Sequence, residues 1–264
     1  MTNPDKDSIP LVSSRGTWRK YTMADGLAGR RIEDFSEDAQ GYLWIATLNG
    51  VSCFDGDEFR TFTVRDGLPD DQVSSALLDR HQRLWFGTSN GGLCWYDGKH
   101  FHPFDIISGE ETPSVSHLFE DAQGRLWVGG RDVMGYVEGE TYHDLRPQYY
   151  ERFKKEGEYR PLVAWGIDQD QEGRIWFGYN SLVIAYDGED FLRFTKEDGL
   201  EGWTTVGVDA SGGVWVAAYQ QLWHIEENRL VRDYADKLHF SRKLVHGPLG
   251  RTWLCSAGDG IFYL

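Results

Sequence analysis

Tryptophan returns at a nearly fixed interval, and that interval narrows the possible folds more than any other feature of the chain. Trp44, Trp85, Trp127, Trp176, Trp215 and Trp253 are separated by 41, 42, 49, 39 and 38 residues. A period near 40 suits the blade of a β-propeller and some helical repeats. The content of one unit separates the two. Residues 73–80 read VSSALLDR, 84–89 read LWFGTS, 93–98 read LCWYDG and 100–105 read HFHPFD. These are short apolar or aromatic runs divided by Gly, Asn and Asp-Gly turn signals, the pattern of consecutive hairpins. No segment sustains the i, i+3, i+4 apolar stripe of an amphipathic helix over three turns. The expected fold is therefore all-β: a six-bladed propeller of four-stranded antiparallel blades over residues 17–264, with residues 1–16 a flexible lead.

The units share a frame. Asp38, Asp79, Asp121, Asp170 and Asp209 stand six residues before their tryptophans, with Gly247 in the last unit. Gly41, Gln82, Gly124, Gly173, Gly212 and Gly250 stand three before. In this D-x-x-G-x-Φ-W spacing the aspartate can bond to the backbone of a turn, and the glycine can supply a positive φ. The tryptophan then opens a strand and serves as a large anchor between neighbouring blades. The last unit supplies only three strands. Its missing outer strand is expected from the other terminus, because TWRKYTMADGL at 17–27 reads like EFRTFTVRDGL at 58–68. Residues 17–22 would then complete the sixth blade and leave no open edge at the closure.

The units resemble the two-component regulator propeller repeat. Asp121-Ala-Gln-Gly124-Arg-Leu-Trp127-Val-Gly and Leu84-Trp-Phe-Gly-Thr-Ser-Asn-Gly-Gly-Leu93 follow its pattern, and Asp25-Gly-Leu27, Asp66-Gly-Leu68 and Asp198-Gly-Leu200 its closing signal. The resemblance implies a sensor segment of a larger signalling protein. Many such propellers belong to hybrid histidine kinases and perceive polysaccharide fragments outside the cytoplasm. A weaker likeness, to the Gly-x-Val-Trp repeat of streptogramin lyases, implies a metal-dependent lyase with a histidine–glutamate pair.

Charge and composition restrict the partners. The formal net charge is −15. Such a surface repels phosphate backbones and anionic lipid, so no nucleic acid and no membrane insertion are expected. No run approaches the roughly 18 apolar residues of a spanning helix. The first ten residues are polar, unlike a signal peptide. The chain is expected in the cytoplasm if Met1 is the native start, and outside it if the chain is an excised sensor domain. Cys53, Cys94 and Cys255 form no disulfide framework and read as small buried hydrophobes.

In a propeller the loops between second and third strands open on the same end as the segments entering each inner strand. Those loops differ between blades, and variable loops on a rigid scaffold are where binding usually lives. The candidate ligand-binding residues are Asn49, Asn90, Arg131, Tyr179 and Tyr219 on the loops, with Arg30, Asp71, Arg160, Trp203 and Arg242 on the entering segments. Four arginines with stacking aromatics suit a small polar, anionic or glycan-like ligand. The longest connection, 145–160, reads as a lid, a partner-docking loop or a tolerated insertion. His117 and His246 have no carboxylate or cysteine at metal-ligand spacing. HExxH, the P-loop and GxSxG are absent. No catalytic residue, metal or cofactor is assigned. The sequence reads as a sensory, ligand-binding propeller of a signal-transduction system, with an effector on a longer parent chain. The alternatives are a protein–protein scaffold and the lyase.

Overall fold

The chain folds into short antiparallel sheets, one for each tryptophan unit. The computed structural model describes residues 19–106, 113–153, 163–219, 221–234, 241–246, 252–256 and 260–263; beyond residue 231, side chains are described only at 253–255. The first sheet contains β1 (Ile32–Glu37), β2 (Leu43–Thr47), β3 (Gly50–Phe54) and β4 (Phe59–Phe62). The second contains β5 (Val73–Leu78), β6 (Leu84–Thr88), β7 (Leu93–Tyr96) and β8 (Phe101–Phe104). The third contains β9 (Ser114–Glu120), β10 (Leu126–Arg131), β11 (Val133–Glu138) and β12 (Thr141–Asp144). The fourth contains β13 (Gly166–Gln169), β14 (Ile175–Tyr179), β15 (Leu182–Tyr186) and β16 (Phe191–Thr195). The fifth contains β17 (Thr205–Val208), β18 (Val214–Ala218), β19 (Gln221–Glu226) and β20 (Arg229–Tyr234). The last has three strands, β21 (Ser241–His246), β22 (Thr252–Ser256) and β23 (Gly260–Tyr263). The fold is all-β; among the described residues there are five four-stranded sheets and one three-stranded sheet, each paired in chain order.

The aspartate turns behave as the spacing predicts and do one thing more. Asp121 Oδ1 accepts from the N–H groups of Gln123 and Arg125. Its Oδ2 accepts from Arg125 Nε and, at 2.7 Å, from the indole Nε1 of Trp127. Trp44, Trp85, Trp176 and Trp215 bond in the same way to Asp38, Asp79, Asp170 and Asp209. The six-residue spacing is therefore the reach from a turn carboxylate to an indole on the following strand. A buried indole N–H needs a partner, and here the turn provides it. At the glycine position, Gly41 and Gly124 have φ of 85° and 86°, and Gln82 adopts 65°.

The tryptophans are the anchors between sheets. Trp85, Trp127 and Trp176 are fully buried. Inner strands stand beside one another in the order β1, β5, β9, β13, β17, β21. An apolar cluster fills each joint along that series. Trp44 packs with Val73, Ala76 and Phe86 of the second sheet, and Trp85 with Val115 and Val128 of the third. Trp127 meets Phe177 of the fourth, Trp176 meets Val206 of the fifth, and Ala217 and Leu222 meet Leu254 of the last. Truncating such an aromatic anchor costs about 3–5 kcal/mol.

The Asp-Gly-Leu signals are short 3-10 turns that carry the chain out of one sheet. Thr22, Thr63 and Thr195 cap turns whose aspartates, Asp25, Asp66 and Asp198, bond back to the threonine N–H. The glycine that follows is left-handed each time, at 109°, 100° and 99°. Leu68 and Leu200 then drop into the core.

Two expectations meet the structure differently. Residues 19–22 form no strand, while Thr17 and Trp18 lie outside the described residues. Tyr21 nonetheless packs as an outer-strand residue does. It contacts Phe54 and Phe59 of the first sheet at 4.8 and 5.3 Å. Its counterpart Phe62 contacts Tyr96 and Phe101 of the second sheet in the same manner. The long connection, described through residue 153, contains α1 (Arg146–Phe153). This helix is clamped. Arg152 pairs with Asp190 at 2.9 Å, Gln148 Nε2 donates to Glu189 O, and Tyr149 is buried. It straps the third sheet to the fourth.

Candidate functional site

The end opposite the aspartate turns is where the loops differ. There the loop between second and third strands meets the segment that enters the next inner strand. Gly50 N–H donates to Asp71 O, Ser89 N–H to Gln72 O, and Tyr219 N–H to Glu201 O. Arg131 bridges to Val163 and Asn180 to Trp203 through the backbone. The two sets of candidate residues therefore share one end of the molecule.

Within that end the candidates separate into groups. At the first sheet, Arg30 and Asn49 are exposed neighbours, since a Cβ on Gly29 would lie 3.1 Å from Asn49 Oδ1. Asp71 and Asn90 are occupied by the scaffold. Asp71 Oδ1 accepts from Val64 N–H at 2.8 Å, and Asp70 accepts from both the backbone and side-chain nitrogens of Asn90 at 2.8 and 3.0 Å. Arg131 is exposed at the third sheet. Arg160 lies outside the described residues, and Arg242 lies in β21 with its side chain outside them.

Tyr179 requires a correction. It is 1 % exposed and packs with Phe177 in the cluster between third and fourth sheets. Burial pushes its hydroxyl well above the ordinary tyrosine range. It closes the all-buried strand Ile175–Tyr179 and belongs to the core, because a strand covered on both faces has no solvent side.

Trp203 and Tyr219 are brought together, on adjoining segments at the fourth and fifth sheets. Each is 48 % exposed. Gly202, at φ 66°, lies against Tyr219, where a Cβ would meet the tyrosine Cβ at 2.9 Å. The Trp203 ring lies 5.0 Å from that of Trp165, tilted by 33°. Trp165 Nε1 is buried without a hydrogen-bond partner. Sequence reasoning missed Trp165 because it lies off the tryptophan period, in the irregular segment before β13. The result is an aromatic ledge of two exposed rings backed by Trp165. Aromatic faces of this kind can stack on a flat or ring-shaped group.

Other chemistry is sparse. Among the described residues no group of three or more His, Cys, Asp or Glu is placed to hold a metal ion. His117 Nδ1 lies 3.1 Å from Ser116 Oγ on the inner strand of the third sheet. All three cysteines are free, and burial raises the Cys94 thiol to about 12. No helix among the described residues is long and apolar enough to cross a membrane.

Comparison with known proteins follows the repeats. The two component regulator propeller family matches residues 26–49, 67–90 and 109–132, so the chain carries that repeat. No curated protein matches it by sequence. Its fold is similar to the extracellular domain of the hybrid two component system BT3049 from B. thetaiotaomicron, with 19 % identity and a TM-score of 0.71. That likeness covers 90 % of this chain but 34 % of the other, so this chain spans about a third of that domain. A catalytically inactive virginiamycin B lyase from Staphylococcus aureus is also similar, at 10 % identity and TM-score 0.67, over 88 % of this chain and 83 % of that one. PorZ, a surface component of the type-IX secretion system of Porphyromonas gingivalis, matches at 15 % identity and TM-score 0.61, over 91 % and 41 %. At these identities the likeness is one of fold.

Proposed function

Because three stretches of the chain match the two component regulator propeller repeat, we propose that it is a non-catalytic sensory propeller of a signal-transduction system. It binds a small polar or glycan-like ligand at the loop end. The observation that carries this reading is the ledge formed by Trp203, Tyr219 and Trp165. Exposing large aromatics costs solvation, and a rigid scaffold that holds them side by side is suited to a partner. Arg30, Asn49 and Arg131 stand exposed on the same end and supply polar contacts, with Arg160 and Arg242 assigned there by the repeat.

The architecture in this reading is a six-bladed ring. Residues 17–22 take the outer position of the last blade, a role supported by the packing of Tyr21 on Phe54 and Phe59. The effector lies on a longer parent chain, and the domain works outside the cytoplasm, as the extracellular domains of similar fold do. The net charge of −15 argues against nucleic acid as the partner. A second reading, a protein partner, is favoured by Met23 and Val64. These open two of the 3-10 turns and are 52 % and 50 % exposed.

The test is thermal shift against glycans, organic acids and divalent metals, with Trp203→Ala and Arg131→Ala as controls. A ligand at about 100 times its Kd adds about 2.7 kcal/mol, which raises the midpoint by about 5–10 °C. Such a rise, lost in Trp203→Ala, is expected. A rise unaffected by either substitution would remove the loop-end site. A rise with metal alone would restore the lyase reading.

A further inference from the structure

Hydrogen bonds tie each of the first four sheets to the next by one of two devices. In the first, a polar residue eight before the tryptophan of the earlier sheet accepts from the N–H seven before the tryptophan of the later one. Ser36 Oγ accepts from Leu78 N–H at 3.0 Å, and Asp168 Oδ2 from Val208 N–H at 2.7 Å. In the second, the residue after the turn aspartate donates its N–H to the side chain seven before the next tryptophan. Arg80 donates to Glu120 at 2.9 Å, and Ala122 to Gln169 at 2.8 Å. The joints from the first sheet to the fifth thus have one device each.

The closure between last and first sheets has neither in its sequence. Eight before Trp253 stands Val245, which cannot accept. The residue that should donate to Glu37 is Pro248, which has no N–H. Packing at the first sheet agrees. Nine before each tryptophan, the inner strand turns a side chain toward the preceding sheet, and Ala76 and Val206 there are 6 % and 4 % exposed. Phe35, at the same position in β1, is 65 % exposed. Ile32 is 43 % exposed; of the residues twelve before the later tryptophans, Val73, Val115 and Ala164 are fully buried and Trp203 is 48 % exposed. Among the described residues, neither Phe35 nor Ile32 joins an apolar cluster.

We propose that the Ile32–Phe35 face of β1 is the docking surface for the chain's own last sheet, β21–β23, and that this joint opens while the four joints among the first five sheets stay closed. The proposal rests on the six-bladed reading above. The occupant follows from position, because the matching residues of β5, β9, β13 and β17 pack against the sheet before them. Tyr21, already seated on Phe54 and Phe59, marks the outer margin of the same docking site. Opening exposes an apolar strip without unfolding the first five sheets. A ring with one weak joint has a built-in way to couple what binds at its loop end to its terminal segments.

Hydrogen exchange on the full chain, resolved by mass spectrometry, tests this. Amides of β1 and β21–β23 are expected to exchange together, at least tenfold faster than those of β9–β15. Tyr21→Ala should speed that group further and leave β9–β15 unchanged. Pro248→Ala returns the missing donor and should slow it about fivefold, as one added hydrogen bond would. Equal protection in all sheets would overturn the weak joint while leaving the closed ring intact. No protection of β21–β23 at the earliest times would overturn the six-bladed reading and the proposal with it. Protection of β1 that rises with protein concentration would give the face to a second copy instead.

Discussion

The two ends of the sheets follow opposite rules. At one end, five turns repeat the same bonds: a carboxylate to two N–H groups or their equivalent, and to one indole. At the other end the described loops share less, although Thr47 and Thr88 Oγ1 in the first two both donate to a glycine carbonyl. Asn90 is tied to Asp70, Asn180 bridges to Trp203, and Tyr219 lies against Gly202. The regular end is regular because each turn has the same task, holding a buried tryptophan and stopping its N–H from going unpaired. The irregular end has no such shared task, so its side chains are free to differ. Repetition within one chain here marks scaffold, and departures from it mark the candidate site.

The contrast can be broken at its strongest point first. Asp121→Ala leaves the Trp127 indole, the Arg125 guanidinium and two backbone N–H groups without their acceptor, in a site where the carboxylate is fully buried. A loss of about 3–5 kcal/mol is expected in denaturant unfolding. A loss below about 1 kcal/mol would show that the turns are not the scaffold.

Acid tests the same end without mutation. Burial alone would raise the Asp79, Asp121 and Asp209 carboxyls. Hydrogen bonds from the indole and turn N–H groups outweigh it and lower all three, Asp209 to about 2. Groups with depressed folded-state values stabilise fully above their unfolded values near 4, and lose that contribution as pH falls through the folded value. Stability measured by denaturant should therefore fall from pH 4 toward pH 2. Asp121→Asn, which cannot titrate there, should flatten part of the decline.

The loop end should respond less. Asn90→Ala removes the side-chain bond to Asp70 and should cost about 1 kcal/mol. Trp203→Ala should change stability by only about 0.5 kcal/mol, the usual range for surface substitutions. It should still abolish the ligand-induced thermal shift. A large destabilisation by Trp203→Ala would make the ledge part of the scaffold and blur the two ends into one.

Much of this was legible in the chain. The Trp44-to-Trp253 period gave the sheets, and the D-x-x-G-x-Φ-W spacing gave the turns, because both depend on contacts within a few residues. The capped 3-10 turns at Asp25-Gly26, Asp66-Gly67 and Asp198-Gly199 were visible as a recurring string, though not as a capping geometry. The candidate site was legible only in part. Loop position points to Trp203 and Tyr219, but it points equally to Tyr179, which is buried. The sequence places it at a strand end and says nothing of the sheet that covers it. Trp165 was missed because its neighbour Trp203 is 38 residues away in the chain.

By itself, then, the sequence determined what is local and periodic: strand lengths, turn chemistry, the anchor in each sheet, and the absence of a helical repeat. Tertiary structure alone decided which aromatics meet solvent, how α1 straps the third sheet to the fourth, and that the β1 face lies bare. The physical reason is that turns and strands are fixed by backbone geometry and hydrogen bonds over a few residues. Exposure, by contrast, depends on which distant side chains arrive in the same place.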